Sequence, residues 1–167
     1  MSNLGQVYIY QENWLKADEC LHRSQELFAE VGSEGFLPEL ERRWGEFCLR
    51  TDELDQALTH ANRSIELAED QEARLELGMS YRTLGEVHLN RNDYDEADTA
   101  LRKSLQILTD LNSEYEAAKT MLLLIRLQLD MDLEVDREQL ENAIQTFEKL
   151  GAQANLEEAN TLAELLD

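Results

Sequence analysis

Three glycines, Gly5, Gly45 and Gly85, stand 40 residues apart, and two more sets of small residues keep the same step: Ala17, Ala57, Ala97 and Ser24, Ser64, Ser104. Larger residues follow in register, with Leu4, Trp44 and Leu84 before the glycine, Trp14, Leu54 and Tyr94 near the alanine, and Arg23, Arg63 and Lys103 before the serine. A fixed period of this length describes a stack of one supersecondary unit, because each unit can bury its apolar face only against the next copy. The most regular copy, residues 83–108, reads as two helical patterns joined by a polar turn.

The composition supplies helices and little else: one Pro and seven Gly in 167 residues, with abundant Ala, Leu, Glu and Arg. The chain is therefore expected to be all-α, a right-handed superhelical solenoid of about four helix-turn-helix repeats closed by a capping helix. The repeats fall at about 1–32, 33–70, 71–111 and 112–151, with the cap at 153–167, all in a single domain. Asn13 is placed as an N-cap, Gly32 as a C-terminal stop and Pro38 in a first helical turn. Leu4, Gly5 and Tyr8 belong to the middle of a helix, so the first copy is expected to be truncated. That implies a piece of a longer protein, or a first helix completed by another chain.

The fourth copy loses the pattern. Removing one residue from its turn restores part of it, with Leu133 for Tyr94, Leu140 for Leu101, Ala143 for Ser104 and Phe147 for Leu108. The stretch from Thr120 to Leu129 is apolar nearly all round, which means either contact with the terminal helix or an apolar anchor for a partner.

The formal charge is −21, from 36 acidic and 15 basic residues. Nucleic-acid affinity depends on Lys and Arg displacing counterions, so binding to DNA or RNA is not expected. No apolar run approaches a membrane span, and residues 1–11 lack a basic start, so neither a membrane segment nor a leader is expected. Cys20 and Cys48 show no paired spacing, which fits a reducing, cytoplasmic setting. Cys48 and His88 share one repeat position with Tyr8, and Cys20 and His60 share another with Ala100. Stacked copies hold such residues roughly 10 Å apart, too far for joint ligation, so packing is expected rather than a zinc site. No phosphate-cradling loop or nucleophile motif is present, and neither catalysis nor a cofactor is expected.

The motif residues resemble the tetratricopeptide repeat, whose helix-turn-helix carries Leu-Gly, two residues and Tyr, then Ala, three residues and an aromatic. Leu4-Gly5-x-x-Tyr8 with Ala17-x-x-x-Leu21, and Leu84-Gly85-x-x-His88 with Ala97-x-x-x-Leu101, carry the match, and Trp44-Gly45-x-x-Cys48 is a looser copy. The period of 40 exceeds the family's usual value of about 34, as in its longer-repeat subclass of signal-transduction regulators.

The resemblance implies a protein-interaction scaffold whose first helix in each pair lines a concave groove for a peptide or partner helix. By position the groove presents Gln6 and Tyr10; Glu39, Arg42, Arg43, Glu46 and Arg50; Arg82, Glu86 and Asn90; and Lys119, Leu122, Arg126 and Asp130. Arg42, Arg43, Arg50, Arg82 and Arg126 would attract an acidic peptide, with Leu122 and Leu129 as apolar contacts. The same charges also stand four apart as Glu39/Arg43, Arg42/Glu46, Glu46/Arg50, Arg82/Glu86 and Arg126/Asp130, and could satisfy one another along a solvated face. The alternative from another class is a homodimer formed through the first helix and the Leu-rich fourth copy.

Overall fold

The computed structural model describes residues 2–166; Met1 and Asp167, at the ends of the expected domain, lie outside them. Nine α-helices occupy almost all of the described residues: α1 (Ser2–Tyr10), α2 (Trp14–Val31), α3 (Leu37–Arg50), α4 (Leu54–Asp70), α5 (Arg74–Arg91), α6 (Tyr94–Asp110), α7 (Glu114–Asp130), α8 (Arg137–Leu150) and α9 (Gln153–Glu164). They pack as successive antiparallel pairs, α1 with α2 through α7 with α8, and α9 covers the last pair. Asn13 caps α2 by accepting from the Lys16 amide, Gly32 ends that helix at φ +62°, and Pro38 sits in the first turn of α3.

The turns repeat twice as often as the motif. A left-handed residue occurs at positions 12, 32, 52, 72, 92, 112, 132 and 151. At each one, the amide of the next residue reaches back to a carbonyl five positions earlier, from Asn13 to Tyr8 (2.9 Å) through to Ala152 and Phe147 (2.9 Å). This is the Schellman closure of a helix C-terminus, repeated at every turn of the chain. Only two of the eight positions are glycine. The others spread over Glu, Asp and Asn, so this half-period of the repeat is invisible to residue matching.

Which helices touch sets the curvature. Each odd-numbered helix packs backbone-close against the next odd one, from α1 with α3 to α7 with α9, whereas the even-numbered helices stand further apart among the described residues, α4 and α6 being linked by the long ion pair Lys103–Glu69 at 3.9 Å. A double layer packed more closely on one side bends toward that side. The odd helices therefore form the concave face and the even helices the convex one.

The small-residue columns are the points of closest approach. Ala17, Ala57 and Ala97 are fully buried. A Cβ on Gly85 would lie 2.5 Å from Cγ of the buried Leu101, whereas one on Gly45 would meet its neighbours at 3.4 Å or more. The serine column does more than stay small. Ser64 Oγ lies 2.7 Å from the Pro38 carbonyl and 2.6 Å from Ser80 Oγ, and Ser104 Oγ lies 3.0 Å from Thr120 Oγ1, so a buried hydroxyl bond joins α4 to α5 and α6 to α7.

Two expectations for the fourth copy change. Leu133 does not take the place of Tyr94; it is exposed, because residues 133–136 form an extended linker and α8 starts a turn later. Leu140, Ala143 and Phe147 are buried, in line with the shifted register. Leu122 does not face the groove as an open apolar contact. It is 2% exposed in a core with Ile125, Phe147, Ala159 and Leu162, against which Leu129 also packs. The apolar surround of residues 120–129 is thus used by α8 and α9 on one side and by α5 and α6 on the other.

Two measurements check this account. Gly85→Ala is expected to destabilise the chain by about 1 to 3 kcal/mol through overpacking, whereas Gly45→Ala should be neutral or stabilising, because a helical Ala is favoured over Gly by about 1 kcal/mol. Urea unfolding of both variants decides the matter, and equal effects would refute the close crossing at Gly85. Glu72 holds φ +53° with an exposed side chain. Glu72→Asn should stabilise by about 0.5 to 1 kcal/mol in the same assay, because Asn tolerates the left-handed region better.

Candidate functional site

The concave face is built from charges that the sequence places in register: Arg42 and Arg82, Glu46 and Glu86, and Glu76 and Glu116 are each 40 residues apart. Arg42 is 3% exposed and lies between two carboxylates, with Nη1 on Glu46 at 2.6 Å and Nε on Glu76 of the next inner helix. One copy further on, Arg82 reaches Glu116 of α7 at both its carboxylate (2.5 Å) and its carbonyl (3.2 Å). Arg50 bonds Glu86 at 3.3 Å, again from α3 to α5. Arg43 holds Glu39 at 2.8 Å on its own helix and the Asn3 side chain at 3.0 Å on α1.

The four-apart pairing is therefore only partly realised. Glu39/Arg43 and Arg42/Glu46 form within α3, but Arg50 and Arg82 turn to partners on the next inner helix. A guanidinium with donors on several edges can bridge two helices, and a buried one needs more than a single carboxylate to offset its desolvation. Arg42, Arg43 and Arg82 are accordingly struts between inner helices rather than open cations on the groove floor.

Each buried charge is kept ionised by its neighbours. Burial alone would raise the Glu46 carboxyl, but Arg42, Arg43, Arg82 and Lys119 hold it below the usual carboxylate range. Glu116 follows the same pattern, with burial opposed by Arg82 and Lys119. Lys119, which bonds Glu116 at 3.4 Å and lies 5.3 Å from the Tyr115 ring centre, is shifted down by burial and then by Arg82, against the pull of Glu116 and Glu46.

Above this ladder the inner face opens into a recess of about 340 Å³ reached by all five inner helices. Tyr10 comes from α1, Arg50 from α3, Arg82 and Glu86 from α5, Lys119 and Arg126 from α7, and Asn155 and Glu158 from α9. Asn90 lies outside it, exposed near the end of α5, with its amide on the Glu86 carbonyl at 2.8 Å. The recess thus gathers Tyr10, Arg50, Arg82, Glu86, Lys119, Leu122 and Arg126 from the expected set, Leu122 only as a nearly buried part of its floor, and adds Leu123, Asn155 and Glu158, of which the last two lie outside the repeat register and gave no positional signal. Arg126 is distinctive: partly buried, it has no hydrogen-bond, ion-pair or ring partner among the described residues, and no bond to Asp130 forms.

A family model described as tetratricopeptide repeat matches residues 36–110, the stretch from the start of α3 to the end of α6. Residues 36–110 are tetratricopeptide repeats. Such repeats generally mediate protein–protein interaction, on a fold that is typically a non-enzymatic scaffold. No curated protein matches the sequence. Among solved structures, that of BtubC (BKLC) from P. vanneervenii has a TM-score of 0.69 at 15% identity, over 96% of this chain and 74% of that one; it shares the helical fold. Among the described residues, no helix is long and apolar enough to cross a membrane, and no group of three His, Cys, Asp or Glu side chains could hold a metal ion.

The strut role has a pH signature. Glu46 and Glu116 are depressed in the folded chain, so their contribution is fully present above the usual carboxylate value near 4.5 and is lost as pH falls through the lower folded value. Glu46→Gln should cost up to about 3 kcal/mol at neutral pH, at or below the low end for breaking a buried pair because Glu76 still holds Arg42. The difference from wild type should shrink as unfolding is followed down to roughly pH 3. A pH-independent difference would contradict the strut.

Proposed function

We propose that the chain recognises a partner protein through its concave face, with an acidic side chain or peptide carboxylate seated where Arg50, Lys119 and Arg126 converge. The observation that carries this reading is Arg126, a cation in the recess with no partner of its own among the described residues, in a chain with more than twice as many acidic as basic residues. A guanidinium in a partly enclosed recess can take a carboxylate in two parallel hydrogen bonds. Tyr10 and Asn155, at opposite ends of the inner row, offer neutral polar groups for the rest of a peptide. Glu86 and Glu158 on the walls would favour a ligand that presents one acidic group among neutral or basic neighbours. Asn90, exposed beyond the recess, would contact the flanking segment.

The alternative, self-association, draws on α1, where Leu4, Val7 and Tyr10 are exposed. It loses the leucines of the fourth copy, since Leu122 is packed beneath α9.

Selection of a random-sequence displayed peptide library against the chain at about 0.15 M salt, where long-range attraction is screened, tests the recess. Enriched sequences should carry Asp or Glu, and Arg126→Glu should weaken them by at least about tenfold. Arg63→Glu, a matched charge reversal on the outer helix α4, should leave them unchanged. Peptides that bind all three proteins equally would overturn the assignment, as would light scattering showing that the chain instead forms a dimer dissolved by Val7→Glu.

A further inference from the structure

A second recess opens on the opposite, convex side between α2, α3 and α4. It encloses about 320 Å³ and is lined by Asp18, His22, Glu41, Trp44, Phe47 and His60, with Glu53 and Cys48 at its edge. Its walls are aromatic. The His22 ring meets Trp44 edge-on at 4.8 Å, Phe47 stands at 90° to Trp44 at 5.7 Å, and His60 is stacked on Trp44 at 6.0 Å.

The rim is acidic. Asp18 lies 3.3 Å from His22 Nδ1, Glu41 lies 2.7 Å from His60 Nδ1, and no Lys or Arg lines the space. The Cys48 thiol, pushed up to about 11 by burial and then by Glu53, remains neutral and adds no further anion.

The next copy of the repeat holds a cation against a ring in its own recess, at Tyr81, the counterpart of Glu41, while Leu84 takes the place of Trp44. Forty residues on, the corresponding recess is lined by Tyr81, Leu84, His88, Glu96, Ala100 and Lys103. There the chain supplies its own cation, with Lys103 Nζ 4.1 Å from the Tyr81 ring centre and bonded to its hydroxyl. Lys16 over Tyr8 and Lys119 over Tyr115, each at 5.3 Å, repeat that pairing elsewhere. No lysine or arginine lies over Trp44 or Phe47 among the described residues. Trp is the strongest of the aromatic rings toward a cation, and carboxylates at the rim add charge and hydrogen-bond acceptors.

We infer that the convex recess around Trp44 is a second interaction site that accepts the cationic side chain of a basic segment of a partner protein. Arginine fits it best, because a planar guanidinium can lie against ring faces while its donors address Asp18, Glu41 and Glu53. The site is separate from the concave recess in position and opposite in ligand charge. One chain could therefore hold an acidic and a basic element on its two faces at once.

The test is titration of the intact chain with a short arginine-rich peptide at about 0.15 M salt, followed by Trp fluorescence and calorimetry. Both Trp44→Leu, the residue that the next copy carries, and Glu41→Gln should weaken binding by about tenfold. Glu41→Gln keeps the assignment testable if the Trp44 variant folds poorly. Glu66→Gln, which removes the same charge from an exposed site on α4, should leave the affinity unchanged. Equal affinity of wild type, Glu41→Gln and Glu66→Gln would mean only general attraction to a chain of charge −21 and would overturn the site.

Discussion

The inner helices pack more closely on one another than the outer ones do, and the rest of the molecule depends on that difference. It is produced locally, by glycine and alanine columns that let paired helices cross closely and by left-handed turns every 20 residues or so that send the chain back. Replacing the small residues would separate the pairs, and altering the turns would change the angle between them. Either change would open the concave face from which the recess is made.

Bringing the inner helices together has an electrostatic cost. Side chains on adjacent inner helices lose water, and the ones present there are Arg42, Arg43, Glu46, Glu76, Arg82 and Glu116. They remain charged because each faces a partner on its own helix or the next. Desolvation of a buried pair can cancel much of its attraction, so the ladder contributes more to the register between helices than to raw stability. The hydroxyl bonds Ser64–Ser80 and Ser104–Thr120 act in the same sense where α4 meets α5 and α6 meets α7.

The candidate sites were legible to different degrees. Positional matching assigns Arg50, Arg82, Glu86, Lys119 and Arg126 to the inner helices, where they line the recess, because the helical period decides which face a residue joins. It could not decide which of those charges is used up internally. Arg42 and Arg126 look alike in sequence, yet Arg42 meets Glu76 and Glu46 whereas Arg126 meets none among the described residues. The convex recess escaped notice because His22, Trp44 and His60 come from three helices. No sequence spacing places two imidazoles against one indole.

The sequence by itself determined the all-helical solenoid, its 40-residue step, the small residues at the helix crossings and the cap on α2, since these follow from periodicity and local backbone preference. Tertiary structure decided the partners: the inter-helix ion pairs, the burial of Leu122 by α9, the exposure of Leu133 and the convergence of α1 with α9 on one recess. The physical reason is range. Helix formation and capping are settled within a turn or two of chain, whereas ion pairing and burial depend on which helices the accumulated curvature brings within a few ångströms of each other.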